Sequence, residues 1–331
     1  MVIVCPNCQK AHNIDDSKIP ARATVAKCKA CGHRFALPRM DRTEPGPKLE
    51  NVVQPVPLEK STAAPSPSSD GSSQGEKQVR ARKIGVSLSK GGVGKTTTAV
   101  NLAAGLALSG SKVLLVDTDT QGQVSYMLGV KPKAGLTELV TQELPADDTI
   151  FKARDNLWLL SGGKSLAGIK RLIDRKDFGG EMTLAETLES LETEYDYIVI
   201  DTSPGWDPLT VNVLFYVEEV LVPVSLEVMS LQGLIQFLKS IASIRKYRKE
   251  VDLKYILPTF MDKRVKHPEN ILAKLKEVYG DYVCTPIRYN VRLSEAPAYG
   301  KTIYEFAPGS HGAEDYRDLI RKITGNPKLF R

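Results

Sequence analysis

Eight consecutive residues constrain this chain more than any other stretch: Lys90-Gly91-Gly92-Val93-Gly94-Lys95-Thr96-Thr97. A strand-like run over residues 83–88 precedes them, and a helical pattern over 95–108 follows. A glycine-rich turn between strand and helix leaves backbone N–H groups pointing at one anion, and the helix N-terminus adds partial positive charge. In that frame Lys95 reaches the β- and γ-phosphates of a nucleotide and the Thr96 hydroxyl binds Mg2+. Gly91, Gly92, Val93, Gly94, Lys95, Thr96 and Thr97 are therefore the candidate phosphate cradle. A chance glycine turn would not bring the same spacing and the same flanks together.

Beyond the loop, strand-like runs lie at 113–116, 197–200, 220–222, 255–257 and around Val283. Helical patterns lie at 181–194, 227–247 and about 313–323. Short apolar strands separated by helices predict an α/β fold of the P-loop NTPase class, a mostly parallel sheet covered by helices on both faces. Two of the strands end in acids: 113–116 runs into Asp117 and Asp119, and 197–200 into Asp201. Asp117 and Asp119 alternate onto one side, which suits a shared site at the sheet edge where ligands bind.

The N-terminal residues 1–38 form a separate problem. A segment this short needs a staple in place of a large core. Four of the chain's five cysteines supply one: Cys5-x2-Cys8 and Cys28-x2-Cys31 are two chelating pairs with 19 residues between them. Four thiolates suit a closed structural zinc site, although the spacing alone also admits iron. In a reducing compartment paired cysteines point to metal before disulfides. The segment is similar to the short zinc ribbons at the start of various bacterial proteins, which implies a structural or docking module. Residues 39–80, rich in proline, serine and glycine with almost no apolar pattern, read as a flexible, disordered linker. The ATPase domain is then expected over 81–325, with a short tail at 326–331.

The phosphate loop departs from the common pattern in carrying Ser89 where glycine is usual and an extra Lys90 at its start. With these residues the chain resembles partition ATPases of the ParA/MinD group, in particular the chromosomal ParA/Soj branch. Asn290-Val291-Arg292-Leu293-Ser294-Glu295-Ala296-Pro297 and the trailing Ser310, Gly312, Ala313 and Tyr316 carry the likeness onward. The resemblance implies an Mg-dependent ATPase in which Lys90 crosses an ATP-bound homodimer to the partner's phosphates. It also implies that Asp119 holds the attacking water, that Asp117 supports the magnesium and loop network, and that Asp201 binds Mg2+. Thr259 and the turn from Pro286 to Asn290 are expected beside the adenine. Thr202-Ser203-Pro204-Gly205 falls where the family has its nucleotide-sensing loop, which often carries two prolines; the first is absent here.

The formal charge of +6 is modest for so long a chain, and on its own says little about nucleic acid. Between residues 239 and 292, however, 13 Lys/Arg face six Asp/Glu. The resemblance places Arg264 and Arg292 where the family binds DNA nonspecifically, an interaction that would be strongly salt-dependent. For Arg245, Lys246, Arg248 and Lys249 a solvated helix end is the plainer reading. An activating partner protein and a cytoplasmic, nucleoid-associated location follow from the same likeness. The alternative is a MinD-like ATPase that positions a membrane, motility or chemosensory complex, with the ribbon as a protein-docking module. No run of 18 apolar residues spans a membrane. The end Asn326-Pro327-Lys328-Leu329-Phe330-Arg331 is too short for the amphipathic helix of that branch. An iron–sulfur reductase subunit would need cysteines near the sensing regions, and none lies between Lys90 and Val283.

Overall fold

The computed structural model describes residues 2–13, 25–36, 80–262, 264 and 266–330. The expected linker lies outside the described residues except for Arg80, and so does Lys263 of the basic stretch. Two compact units separate, one within Met1–Lys48 and one within Leu49–Arg331.

The small unit consists of two antiparallel hairpins, β1 (Val2–Val4) with β2 (Ala11–Asn13), and β3 (Val25–Lys27) with β4 (Arg34–Ala36). Each hairpin turn carries one cysteine pair, and the two turns repeat the same bonding. Cys5 N–H donates to Lys10 O (3.0 Å) and Gln9 N–H to Cys5 O (2.9 Å); Cys28 N–H donates to His33 O (2.8 Å) and Gly32 N–H to Cys28 O (2.9 Å).

The large unit is built on seven strands: β5 (Arg82–Val86), β6 (Val113–Asp117), β7 (Ile150–Arg154), β8 (Leu157–Leu160), β9 (Tyr197–Asp201), β10 (Glu219–Ser225) and β11 (Asp252–Thr259). Their order across the sheet is β11-β10-β5-β9-β6-β8-β7, parallel throughout except for the antiparallel edge pair β7–β8. The longer helices are α1 (Lys95–Leu108), α2 (Leu166–Asp174), α3 (Pro208–Tyr216), α4 (Val228–Ile244), α5 (Lys266–Tyr279) and α6 (His311–Thr324).

Alternation along β6 shows how both faces are covered. Val113 and Leu115 join the apolar cluster that includes α1 and α6, while Leu114 and Val116 join the cluster that includes α3, α4 and α5. A central strand with apolar residues on both faces is what a parallel sheet between helical layers requires.

The α/β expectation is met, with local differences. Residues 181–194 do not form one helix. A 3-10 turn at Gly180–Met182, a short helix at Thr183–Leu188 and a second 3-10 stretch at Glu189–Thr193 replace it. Leu184, Leu188 and Leu191 still face the core, but Asn212 on α3 pins the start of the segment, accepting from Leu184 N–H and donating to Gly180 O. Val283 makes only an isolated bridge to Ile256 and is not a strand. The C-terminal residues Leu329 and Phe330 pack against the α1/α6 cluster, where Arg321 Nε donates to Leu329 O at 3.0 Å. Among the described residues no helix is long and apolar enough to cross a membrane.

Candidate nucleotide site and metal centre

Parallel pairing sets Val86, Asp201 and Asp117 abreast at the C-terminal ends of β5, β9 and β6. The glycine loop leaves β5 at the same edge. Gly92 and Gly94 adopt φ of +73° and +87°, a region that L side chains rarely enter, so the loop can fold back on itself ahead of α1. Val93 is buried, and its carbonyl accepts from the Thr259 hydroxyl at the end of β11 (3.0 Å). The Lys95 ammonium is buried and donates to Lys90 O at 2.8 Å. Thr96 and Thr97 open the first turn of α1, and Gly91 lies exposed on the loop.

The acids around this loop are short of neutralising partners. Burial pushes the Asp117 carboxyl up to about 7, with the charge of Asp119 adding to the effect and amide donors opposing it. Asp117 Oδ1 accepts Asp119 N–H at 2.9 Å. Asp201 is also raised well above the usual carboxylate range, first by burial and then by Asp117; the Thr96 hydroxyl and the Lys95 ammonium favour its charged form. Neither oxygen of Asp201 has a well-formed hydrogen-bond partner. Burial in turn lowers the Lys95 pKa, against the pull of Asp201 and Asp119. Three carboxylates beside one buried lysine cost several kcal/mol unless further positive charge arrives. A hard divalent cation with oxygen ligands fits the bare Asp201 oxygens and the neighbouring Thr96 hydroxyl. Asp119 is nearly buried; its Oδ1 accepts Gln121 N–H at 3.0 Å.

Beside the loop lies a cavity of about 250 Å³ lined by Gly94, Thr97, Thr259, Phe260, Tyr289 and Asn290, among others. Pro286 is not part of its lining. Residues 287–289 run alongside Met261, with Met261 N–H donating to Ile287 O and Tyr289 N–H to Met261 O (3.0 Å each). Ile287 and Tyr289 line the cavity, and Pro286 lies before this stretch. Tyr289 falls within the expected 286–290 turn, whereas the other aromatic wall, Phe260, was not singled out by the sequence. Phe260 sits at φ +55°, unusual for a non-glycine residue, just past the end of β11.

Lys90 is held within its own chain: its ammonium donates to Ser230 Oγ at 2.9 Å and lies 3.8 Å from Glu227. Arg264 and Arg292 are exposed, each paired locally, Arg264 with Asp262 (2.7 Å) and Arg292 with Glu295 (2.8 Å). Solvent screens exposed pairs like these, so they hold the two side chains only weakly.

In the small unit the four sulfurs of Cys5, Cys8, Cys28 and Cys31 lie within 4.8 Å of one another. Cys5–Cys31 and Cys8–Cys28 are 3.7 and 3.6 Å apart. A tetrahedral ion with bonds of about 2.3 Å to sulfur sets its ligands about 3.8 Å apart, so the arrangement fits zinc closely. His12 Nε2 lies 3.2 Å from the Cys28 sulfur as an outer partner, not as a fifth ligand. Substituting Cys28→Ser is expected to abolish stoichiometric zinc binding and unfold the hairpin pair. Colorimetric zinc release and hydrogen exchange over residues 2–36 check this; an undiminished zinc content would overturn it.

A strand, a phosphate loop, a helix and two further acidic strand ends define a P-loop ATPase. Comparison with known proteins narrows the class. A family described as an AAA domain matches residues 81–254, and a zinc-ribbon domain matches residues 1–36. The sporulation initiation inhibitor protein Soj of Bacillus subtilis is 38% identical over 252 residues, covering 73% of this chain and 98% of that protein. The chromosome-partitioning ATPase Soj of Thermus thermophilus is 38% identical over 248 residues, covering 74% of this chain and 96% of that protein. Among solved structures, cobyrinic acid a,c-diamide synthase from Mycobacterium smegmatis with bound ADP and magnesium is 28% identical, with a TM-score of 0.63 over 75% of this chain and 98% of that one. An ATP complex of Cyanothece McdA shares the fold, with a TM-score of 0.68 and 23% identity over 76% of this chain and 99% of that one. The chain belongs to the ParA/Soj family of P-loop ATPases and carries a zinc ribbon ahead of its ATPase domain.

Proposed function

We propose that this ATPase is a dimerising switch that positions or partitions DNA or a cellular cargo, with nonspecific DNA binding gated by ATP. The observation that carries the reading is the alignment of Asp117 and Asp201 on adjacent strands beside the buried Lys95, with Asp119 two residues on. Lys95 and the loop amides bind the phosphates, Asp119 holds a water in line with the γ-phosphorus, and Asp117 keeps the Asp119 segment in place. Thr96 and Asp201 would hold Mg2+, which when bound neutralises charge on the phosphoryl oxygens. The adenine takes the cavity beside Thr259 and Asn290. Lys90 leaves Ser230 for the γ-phosphate of a second subunit, so ATP links two chains and hydrolysis parts them. The four ribbon cysteines hold zinc and make a docking module, and an activating partner protein sets the rate. Residues 1–38, 39–80 and 81–325 then act as ribbon, linker and motor, with 326–331 a short tail, at a cytoplasmic, nucleoid-associated site.

The relatives named for chromosome partitioning favour DNA over a membrane-borne complex as the track. Arg264→Glu and Arg292→Glu are each expected to weaken ATP-dependent binding to plasmid DNA about tenfold or more while sparing ATP turnover. Fluorescence anisotropy with ATP, ADP and no nucleotide checks this. Equal binding in all three states would end the ATP-gated reading.

A further inference from the structure

Helix α2 connects two segments that face the phosphate site from different strands. Ahead of it, at the end of β8, runs Ser161-Gly162-Gly163-Lys164. Gly163 N–H donates to Asp119 O at 3.1 Å. Gly162 is pressed against the acidic segment: a Cβ there would lie 2.6 Å from Asp117 O, 2.9 Å from Asp117 Cγ and 2.9 Å from Asp119 O. Two of these three atoms are backbone, so a Cβ at Gly162 would force the Gly162 loop and the Asp117–Asp119 segment apart.

Farther along α2, the Lys170 ammonium donates to Asp207 Oδ2 at 2.6 Å, and the Ser203 hydroxyl donates to the same oxygen at 2.6 Å. Asp207 Oδ1 accepts Thr210 N–H at 2.9 Å, capping α3. Lys170 and Asp207 are each about one-fifth exposed. Ser203 lies two residues past Asp201, in the Thr202–Gly205 stretch. The loop that leads into α2 thus holds the Asp119 segment, and Lys170 on the helix itself holds the Ser203 loop through Asp207.

We propose that Gly162 and Lys170 are positioning residues for ATP hydrolysis: together they clamp the Asp119 and Ser203 segments at the spacing that the in-line water requires. Neither touches the nucleotide; each acts through the segment it holds. The proposal rests on the reading of Asp119 as the residue that holds that water. Lys170 is suited to the role because its charge-assisted bond to Asp207 is directional and mostly shielded from solvent. Removing the ammonium leaves Ser203 and Thr210 as the carboxylate's only partners and frees the loop to shift. Displacements near 1 Å at such distances cost on the order of 10²-fold in rate.

The test uses the full chain and measures steady-state phosphate release, ATP-dependent dimerisation by light scattering, and thermal melting. Gly162→Ala and Lys170→Met are each expected to lower kcat about tenfold or more, with KM for ATP within roughly threefold of wild type and dimerisation retained. Lys170→Arg, which keeps the charge and a donor, is expected to recover most of the loss. The proposal is overturned by Lys170→Met turnover within about twofold of wild type, by a loss that appears only in KM, or by Lys170→Arg performing no better than Lys170→Met. Should Gly162→Ala fail to fold, the two Lys170 variants decide alone. Asp119→Ala separates the two readings. If it turns over ATP like wild type, the Asp119 assignment falls. If it is inactive while Gly162→Ala and Lys170→Met are not, only the clamp falls.

Discussion

Asp119→Ala is expected to retain ATP-bound dimers while phosphate release falls about 10²- to 10⁴-fold, the usual contribution of a positioned proton acceptor. The effect should be clean because the side chain does little structural work. Its only hydrogen bond within the described residues is the one from Gln121 N–H, while the segment is held mainly through its backbone, by Asp117 Oδ1 and Gly163 N–H. Losing the carboxylate also removes one of three crowded negative charges, so the variant should bind Mg·ATP at least as well as the parent. Light scattering with ATP and magnesium, paired with phosphate release, makes the comparison. Turnover at the parental rate would remove Asp119 from the mechanism.

The second large effect concerns Lys90. In the Asp119→Ala background, where ATP persists, Lys90→Ala is expected to abolish the dimer at saturating ATP, a loss of roughly 10²-fold or more in association, as for removal of one partner of a buried interfacial charge pair. Within one chain the ammonium already has a partner in Ser230, whose hydroxyl is itself engaged with Ser225. Moving to a phosphate therefore trades a bond to a neutral hydroxyl and a 3.8 Å approach to the exposed Glu227 for one in which donor and acceptor are both charged. A Lys90→Ala chain that dimerises like its parent would show that the terminal phosphate is not what joins the subunits.

The phosphate loop and α1 could be read from residue order because glycine chemistry and helix periodicity there agree with the tertiary context. The acidic strand ends were equally legible, since the sheet places any parallel strand's C-terminal residue at the ligand edge. Other parts depended on contacts distant in sequence. The apparent helix at 181–194 is broken where Asn212 competes for its backbone. The edge pair β7–β8 did carry a signal, Asp155-Asn156 between two apolar runs, with Asn156 at φ +56°. The walls of the cavity beside the phosphate loop come from a left-handed Phe260 and from a segment aligned by Met261, neither of which has a local pattern. The Gly162-Gly163 step reads locally as a simple turn; its meaning comes only from the aspartates packed against it.

Arg82, at the start of β5, donates to Glu219 through Nε and Nη2 and to the carbonyl of Ile323 through Nη1 at 2.7 Å, across 241 residues of sequence. The first strand of the large unit lies inside the sheet, and its flanking strands, β9 and β10, are made more than 100 residues later. During synthesis the phosphate loop emerges early but has no neighbours to rest on until most of the chain has left the ribosome. Assembly of such nonlocal pairings is slow, and leaves apolar strands uncovered in the interval. Truncation anywhere before the last helix should therefore yield chains dependent on chaperones, not a smaller working enzyme.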